Sequence, residues 1–215
     1  MTHDALVFDA YGTLYDVHSV MRRCESFFPG KGAQLSQLWR TKQLEYTWQR
    51  SLMQRYAPFS AVTREALAYA CEALRLELTA ERMEALMSEY HMLSTYPEVA
   101  KTLQALTGKK LAILSNGSPD MLEPLVINSG LGFDAVISVD ALKLYKPAPE
   151  VYGLAVSKLN VPRERIGFVS SNCWDAIGAK SYGFTVYWVN RAGAPVDRLG
   201  FRPDKIGARL DEVLL

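Results

Sequence analysis

The chain has 215 residues, 49% of them hydrophobic and 22% charged, the balance of an ordinary globular protein long enough to bury a substantial core. Its 24 Lys and Arg against 23 Asp and Glu leave a formal net charge of +1, which gives no electrostatic footprint for nucleic acid or an anionic membrane. No apolar run approaches the roughly 20 residues needed to span a bilayer. Met1-Thr2-His3-Asp4 lacks the basic and apolar regions of a leader peptide. Cys24, Cys71 and Cys173 are far apart and form no paired motif, so free packed thiols and a cytoplasmic setting are expected rather than a disulfide framework or a zinc site.

Along the chain, Ala5-Leu6-Val7-Phe8 is a short apolar run ended by Asp9 and the turn residues Gly12-Thr13, which reads as a buried strand. The period then changes. Val17, Val20, Met21 and Cys24 recur at helical spacing as far as Pro29-Gly30, and Leu35 to Leu52 forms a second, longer helix. After Pro58, residues Thr63 to Leu76 read as a third helix, and Thr79 is the N-cap of a fourth. No strand is expected between about Asp16 and Thr95.

From Pro97 a helix runs to Leu106 and is stopped by Thr107-Gly108. Strand and helix then alternate: Lys110 to Ser115, Pro119 to Ser129, Phe133 to Val139, Pro149 to Leu159, Arg165 to Val169, Trp174 to Tyr182, Thr185 to Val189. A short element near Lys205-Ile206 and a terminal helix finish the chain. This alternation predicts an α/β fold with a doubly wound parallel sheet. The expected division is a core of residues 1–15 plus 96–215 and an inserted helical cap subdomain, 16–95.

In open α/β sheets, ligands bind outside the carboxyl ends of the strands. Asp9, Ser115, Lys146 and Asp175 all fall at that edge. Each alone has a plain reading as a cap, a turn residue, a surface lysine or a first-turn acid. Their convergence points to a site.

The four positions, read as Asp9-x-Tyr11-Gly12-Thr13, Ser115-Asn116, Lys146-Pro147 and the loop ending in Asp175, resemble the haloacid dehalogenase superfamily over essentially the whole chain. Most members of that superfamily are Mg²⁺-dependent phosphatases, with an acid two residues after the nucleophile and a cluster of acids in the last loop. Here Tyr11 takes the first place, and the last loop offers Ser170, Ser171 and Asn172 before Asp175. A hard divalent cation wants several oxygen ligands, mostly carboxylate, so a phosphomonoesterase is the disfavoured alternative. A halide leaves without a proton and an alkyl halide has no phosphate to clamp, so neither acid nor metal is required for its cleavage. Asp9 to Leu14, Leu38-Trp39-Arg40, Lys146-Pro147 and Ser170 to Ala179 together resemble the L-2-haloacid dehalogenase branch.

The resemblance implies hydrolysis of L-2-haloalkanoic acids to D-2-hydroxyalkanoic acids and halide, with no cofactor. Asp9 is then the nucleophile that forms an ester, Lys146 the cation that favours its ionised form, and Arg40 the cradle for the halide. Ser115 and the Asn116 backbone, helped by Thr13 and Lys146, are expected to bind the substrate carboxylate. Asp175 is expected to activate water, with Ser170 and Asn172 ordering it. Tyr11, Leu44, Phe59 and Trp174 are read as apolar walls and Tyr152 as a hydrogen-bond partner behind the site. A small-molecule substrate is expected, and the resemblance suggests a homodimer through the cap helices.

Overall fold

Four apolar residues, Ala5–Phe8, form strand β1, and every one of them is buried. The run shows no alternation because β1 has parallel neighbours on both sides and layers over both faces. The structure is a computed structural model that describes residues 3–215; Met1 and Thr2, part of the terminus read above for a leader, lie outside the described residues. The other strands are β2 (Lys110–Ser115), β3 (Ala135–Ser138), β4 (Ile166–Ser170), β5 (Thr185–Val189) and β6 (Lys205–Gly207). They form one parallel sheet in the order β3-β2-β1-β4-β5-β6.

That order places the site. The chain leaves β1 towards β2 on one side and returns to β4 on the other, so the connections diverge between β1 and β4, which opens a crevice at their carboxyl ends. Phe8 is in register with both Ile113 and Val169. The Asp9 amide continues the ladder by donating to the Val169 carbonyl at 2.9 Å, so Asp9 emerges level with the end of β4.

Between β1 and β2 the chain is helical: a 3₁₀ turn at Val17–Ser19, then α1 (Val20–Phe27), α2 (Gly32–Leu52), α3 (Phe59–Ala73) and α4 (Ala80–Glu89). The helices α1, α2, α3 and α4 pack on one another. Thr79 caps α4 by accepting from the Arg82 amide, as expected. The two linkers that join this insertion to the sheet run side by side: the Asp16 amide donates to Ser94 at 2.8 Å, the Tyr96 amide donates to Leu14 at 3.2 Å, and Tyr15 and Thr95 form an antiparallel bridge. After β1 the sheet is covered by α5 (Val99–Ala105), α6 (Pro119–Ser129), α7 (Pro149–Leu159), α8 (Cys173–Tyr182) and α9 (Leu210–Leu214).

Several boundaries differ from the sequence reading, among them the second helix, which begins at Gly32 rather than Leu35. The third helix begins at Phe59, not Thr63, and ends at Ala73, because Pro58 sits at the N-cap with extended backbone and the helix starts directly after it. The first core helix starts at Val99 rather than Pro97. The strand expected over Phe133 to Val139 is only Ala135–Ser138, since the Ser138 hydroxyl accepts from the Asp140 amide and turns the chain into a 3₁₀ turn at Val139–Ala141. Among the described residues all three cysteines are free thiols, and no helix is long and apolar enough to cross a membrane.

Candidate active site

The turn after β1 delivers Asp9. Gly12 adopts φ +88°, a conformation that disfavours side chains, and a Cβ there would stand 3.1 Å from the Ser171 hydroxyl. The turn therefore packs closely on the loop after β4. Thr13 stitches the two together: its hydroxyl donates to Asp9 Oδ2 at 3.1 Å and accepts from the Ser171 amide at 2.8 Å. Asn172 donates its side-chain amide to the same Asp9 oxygen at 2.9 Å and to the Tyr11 carbonyl at 3.2 Å.

Lys146 comes from the loop before α7. Its ammonium lies 3.1 Å from Asp9 Oδ1 and 2.9 Å from Asp175 Oδ2, over the face of the Phe168 ring. The Lys146 amide donates to the Asn116 side-chain oxygen at 3.0 Å, which ties this loop to the end of β2; the Lys146–Pro147 peptide bond is cis. Asp175 sits in the first turn of α8, fully buried, and its second oxygen accepts from the Tyr152 hydroxyl at 2.8 Å. Gly178, one turn further on, lets Tyr152 approach: a Cβ there would meet the Tyr152 hydroxyl at 2.5 Å.

Burial pushes the Asp175 carboxyl up, to about 6, with the Asp9 charge adding to that rise and the Lys146 charge and the Tyr152 hydrogen bond opposing it. Burial also disfavours the Lys146 charge, but the carboxylates of Asp175 and Asp9 outweigh it and the ammonium titrates above its ordinary range. Burial raises the Tyr11 and Tyr152 phenols as well. The centre is thus a cation between two acids, walled by neutral aromatic rings.

A cavity of about 410 Å³ opens beside these groups, lined among others by Tyr11, Arg40, Leu44, Asn172 and Trp174. Arg40 and Leu44, one turn apart on α2, bring the insertion over the sheet edge. Arg40 has no carboxylate partner among the described residues; it donates to Gln43 Oε1 at 2.6 Å, and Gln43 donates in turn to Thr63 at 2.8 Å. Trp174 packs edge-to-face on Trp48, ring centres 5.4 Å apart.

The structure thus gathers Asp9, Thr13, Lys146, Asn172, Asp175 and Tyr152 into one hydrogen-bonded cluster, with Tyr11, Arg40, Leu44 and Trp174 on the adjoining cavity. Some placements differ in detail from the sequence reading. Asn172 was expected to order water beside Asp175, and its amide is instead committed to Asp9. The Ser170 hydroxyl accepts from the Asn172 amide at 3.1 Å and so shapes the loop. Phe59 lies behind Tyr11, ring centres 5.7 Å apart, and is fully buried. Ser115 is buried at the end of β2, where its hydroxyl accepts from the Gly117 amide at 3.0 Å.

Sequence reasoning missed Gln43, Ser171 and the loop after β5, where Asn190 and Arg191 line the same cavity. The strand-end rule that found the other loops could have found that one; Gln43 carried no signal, since its role depends on a helix crossing.

A buried carboxylate at the switch point of a parallel α/β sheet, under a helical insertion, defines the class, and the family described as haloacid dehalogenase-like hydrolase matches residues 3–183. The chain is 49% identical over 203 residues to the (S)-2-haloacid dehalogenase of Pseudomonas sp. (strain YL), covering 93% of this chain and 88% of the relative. A solved L-2-haloacid dehalogenase superposes with a TM-score of 0.97 at 48% identity, covering 100% of this chain and 98% of the other. The L-2-haloacid dehalogenase of Xanthobacter autotrophicus, solved with chloropropionic acid covalently bound, gives 0.92 at 43% identity, covering 99% and 96%. The chain belongs to the L-2-haloacid dehalogenase family of the haloacid dehalogenase-like hydrolases.

The Mg²⁺ associated with the wider superfamily does not fit the residues present. The Lys146 ammonium takes one Asp9 oxygen and the Asn172 side-chain amide the other, and Ser170, Ser171 and Asn172 add no carboxylate. Among the described residues no group of three or more His, Cys, Asp or Glu side chains is placed to share a metal ion.

Proposed function

We propose that this chain hydrolyses L-2-haloalkanoic acids to D-2-hydroxyalkanoic acids and halide. The observation that carries this reading is the Lys146 bridge: Asp9 faces an ammonium, and the buried phenol Tyr11 stands two residues on, so among the described residues the nucleophile has neither a carboxylic acid at that place nor a carboxylate-lined metal site to serve an oxygen leaving group. A halide needs neither. Asp9 attacks C2 from the side opposite the halogen, the carbon–halogen bond breaks, and an aspartyl ester forms with inversion. Arg40, without a carboxylate partner among the described residues, receives the halide. Water then attacks the ester carbonyl of Asp9, giving a proton to Asp175; the acyl carbon–oxygen bond breaks, Asp175 returns the proton to the departing alkoxide, and the hydroxyacid leaves with the oxygen that came from Asp9.

Thr13 and Asn172 aim Asp9, Ser115 and Asn116 hold the substrate carboxylate with Lys146, and Tyr11, backed by Phe59, keeps water from competing together with Leu44 and Trp174. Ser170 holds the loop that carries Asn172. The names of the Pseudomonas relative and of the Xanthobacter structure support the substrate class and the covalent step. The insertion, residues 16–95, acts as a cap that closes over the sheet edge from residues 1–15 and 96–215. Two chains pair through α2 and α3, where Leu52 and Tyr69 are exposed, with Met53 just beyond α2; the enzyme works in the cytoplasm on a small-molecule acid without nucleic acid or membrane partners.

The test is halide release from chloroacetate and from each enantiomer of 2-chloropropionate. The L enantiomer turns over and the D enantiomer does not, and Asp9→Asn abolishes release while melting like the parent. Full activity in that variant contradicts the proposal. Sedimentation at micromolar concentration reads the dimer.

A further inference from the structure

Arg191 lies just beyond β5, on the rim of the cavity that Arg40 lines. One terminal nitrogen is 2.7 Å from Glu98 Oε1, the other donates to the Thr13 carbonyl at 3.1 Å, and the guanidinium lies 3.6 Å from the centre of the Tyr96 ring. The Glu98 carboxylate, itself nearly buried, also accepts from the Leu210 amide at 3.3 Å, so it is anchored to α9.

These partners are not scattered. Thr13 ends the turn that carries Asp9, immediately before the outgoing linker of the insertion. Tyr96 and Glu98 follow Thr95, at the end of the returning linker, and the Tyr96 hydroxyl donates to Asp16 on the outgoing one at 3.4 Å. One side chain therefore grips the nucleophile turn and the returning linker, and reaches the outgoing linker through Tyr96. Thr13 in turn donates to Asp9 Oδ2.

We infer that Arg191 is a positioning residue for Asp9: by holding the Thr13 carbonyl against the anchored Glu98, it sets the Thr13 hydroxyl that aims the nucleophile. A planar guanidinium suits the task because two separate terminal nitrogens reach two acceptors while its flat face stacks on a ring, whereas an ammonium is a single point with no face. The inference rests on Asp9 being the nucleophile. Arg191 itself touches no reacting atom.

The experiment is a double-mutant cycle on halide release from L-2-chloropropionate, joined to amide hydrogen exchange. Arg191→Met lowers kcat about tenfold while KM changes less than about twofold, because misaiming costs rate more than binding. Arg191→Lys keeps the charge beside Glu98 but loses the span to Thr13, so it stays nearer to Arg191→Met than to the parent. In a Thr13→Ala background either substitution changes kcat less than about twofold, since the hydroxyl it acts through is gone. An unchanged kcat in the single variants, an equal loss in both backgrounds, or full rescue by Lys overturns the inference.

Exchange at residues 10–16 gives a readout free of turnover, rising about tenfold or more in Arg191→Lys; unchanged exchange also overturns it. A parent protein that releases no halide refutes the proposed function instead, and the exchange result still decides the role of Arg191. If Arg191→Met does not fold, Arg191→Lys carries the whole cycle.

Discussion

The Lys146 ammonium lies 2.9 Å from Asp175 Oδ2, with 1% and 0% of the two side chains exposed, and the same nitrogen reaches Asp9 at 3.1 Å. Such a pair is costly to desolvate and more costly to break, because the remaining charge has no water to turn to. Lys146→Met would leave two buried carboxylates facing each other. The expected result is loss of about 3–5 kcal/mol of stability in urea denaturation at pH 7, with halide release abolished. A loss below about 1 kcal/mol would mean that the site hydrates freely when the cation is removed.

Asp175 must be a carboxylate to take a proton from water, and burial raises its carboxyl to about 6. The hydrolytic half-reaction is therefore fully available above that pH and is lost as pH falls through it. Quenched-flow measurement of ester breakdown should show an acid limb centred near 6. An ester that decays equally fast at pH 4.5 and pH 7.5 would remove Asp175 from the role of base.

Tyr152 allows the same assignment to be checked from the other side. Its hydroxyl donates to Asp175 Oδ1 at 2.8 Å, and that hydrogen bond favours the carboxylate. Tyr152→Phe removes it, so the Asp175 carboxyl rises further. The acid limb of ester breakdown moves to higher pH by up to about one unit, with the rate above pH 8 changing less. A shift to lower pH would reverse the electrostatic account.

The fold was readable where punctuation met periodicity. Pro119 and Pro149 open their helices at the first position, and Gly130 and Asn160 close them in left-handed backbone, so both spans fall where the sequence puts them. The sequence reading starts the third helix at Thr63 because Pro58 reads as an interruption, yet Pro58 is also a sound residue to precede a helix, which starts at Phe59. In the site, Asp9, Ser115, Lys146 and Asp175 were legible because strand ends share one edge by topology. The link between Lys146 and Asp175 was not, since they stand 29 positions apart with a helix and a strand between them. The Arg191 contacts with Thr13 and Glu98 were hidden for the same reason: they are tertiary, and none of the three residues is unusual in its local pattern.

Gln43 shows what a site of this kind asks of residues without chemistry. It is fully buried on α2, accepts from Arg40 at 2.6 Å and donates to Thr63 at 2.8 Å, where Thr63 is already held by the Phe59 carbonyl. Gln43→Leu would leave the Arg40 guanidinium unguided and one buried acceptor at Thr63 unfilled. A stability loss of about 1–3 kcal/mol is expected, with halide release slowed about tenfold. Activity equal to the parent would mean that Arg40 needs no guide.

The central claim is that the oxygen delivered to the product comes from Asp9. It is tested by a single turnover of L-2-chloropropionate with excess enzyme in ¹⁸O-water, followed by mass spectrometry of both the lactate and the peptide containing Asp9. The account predicts unlabelled lactate and one ¹⁸O in the Asp9 carboxylate. Label in the lactate of that first turnover, with Asp9 unlabelled, would mean direct attack by water and would contradict it.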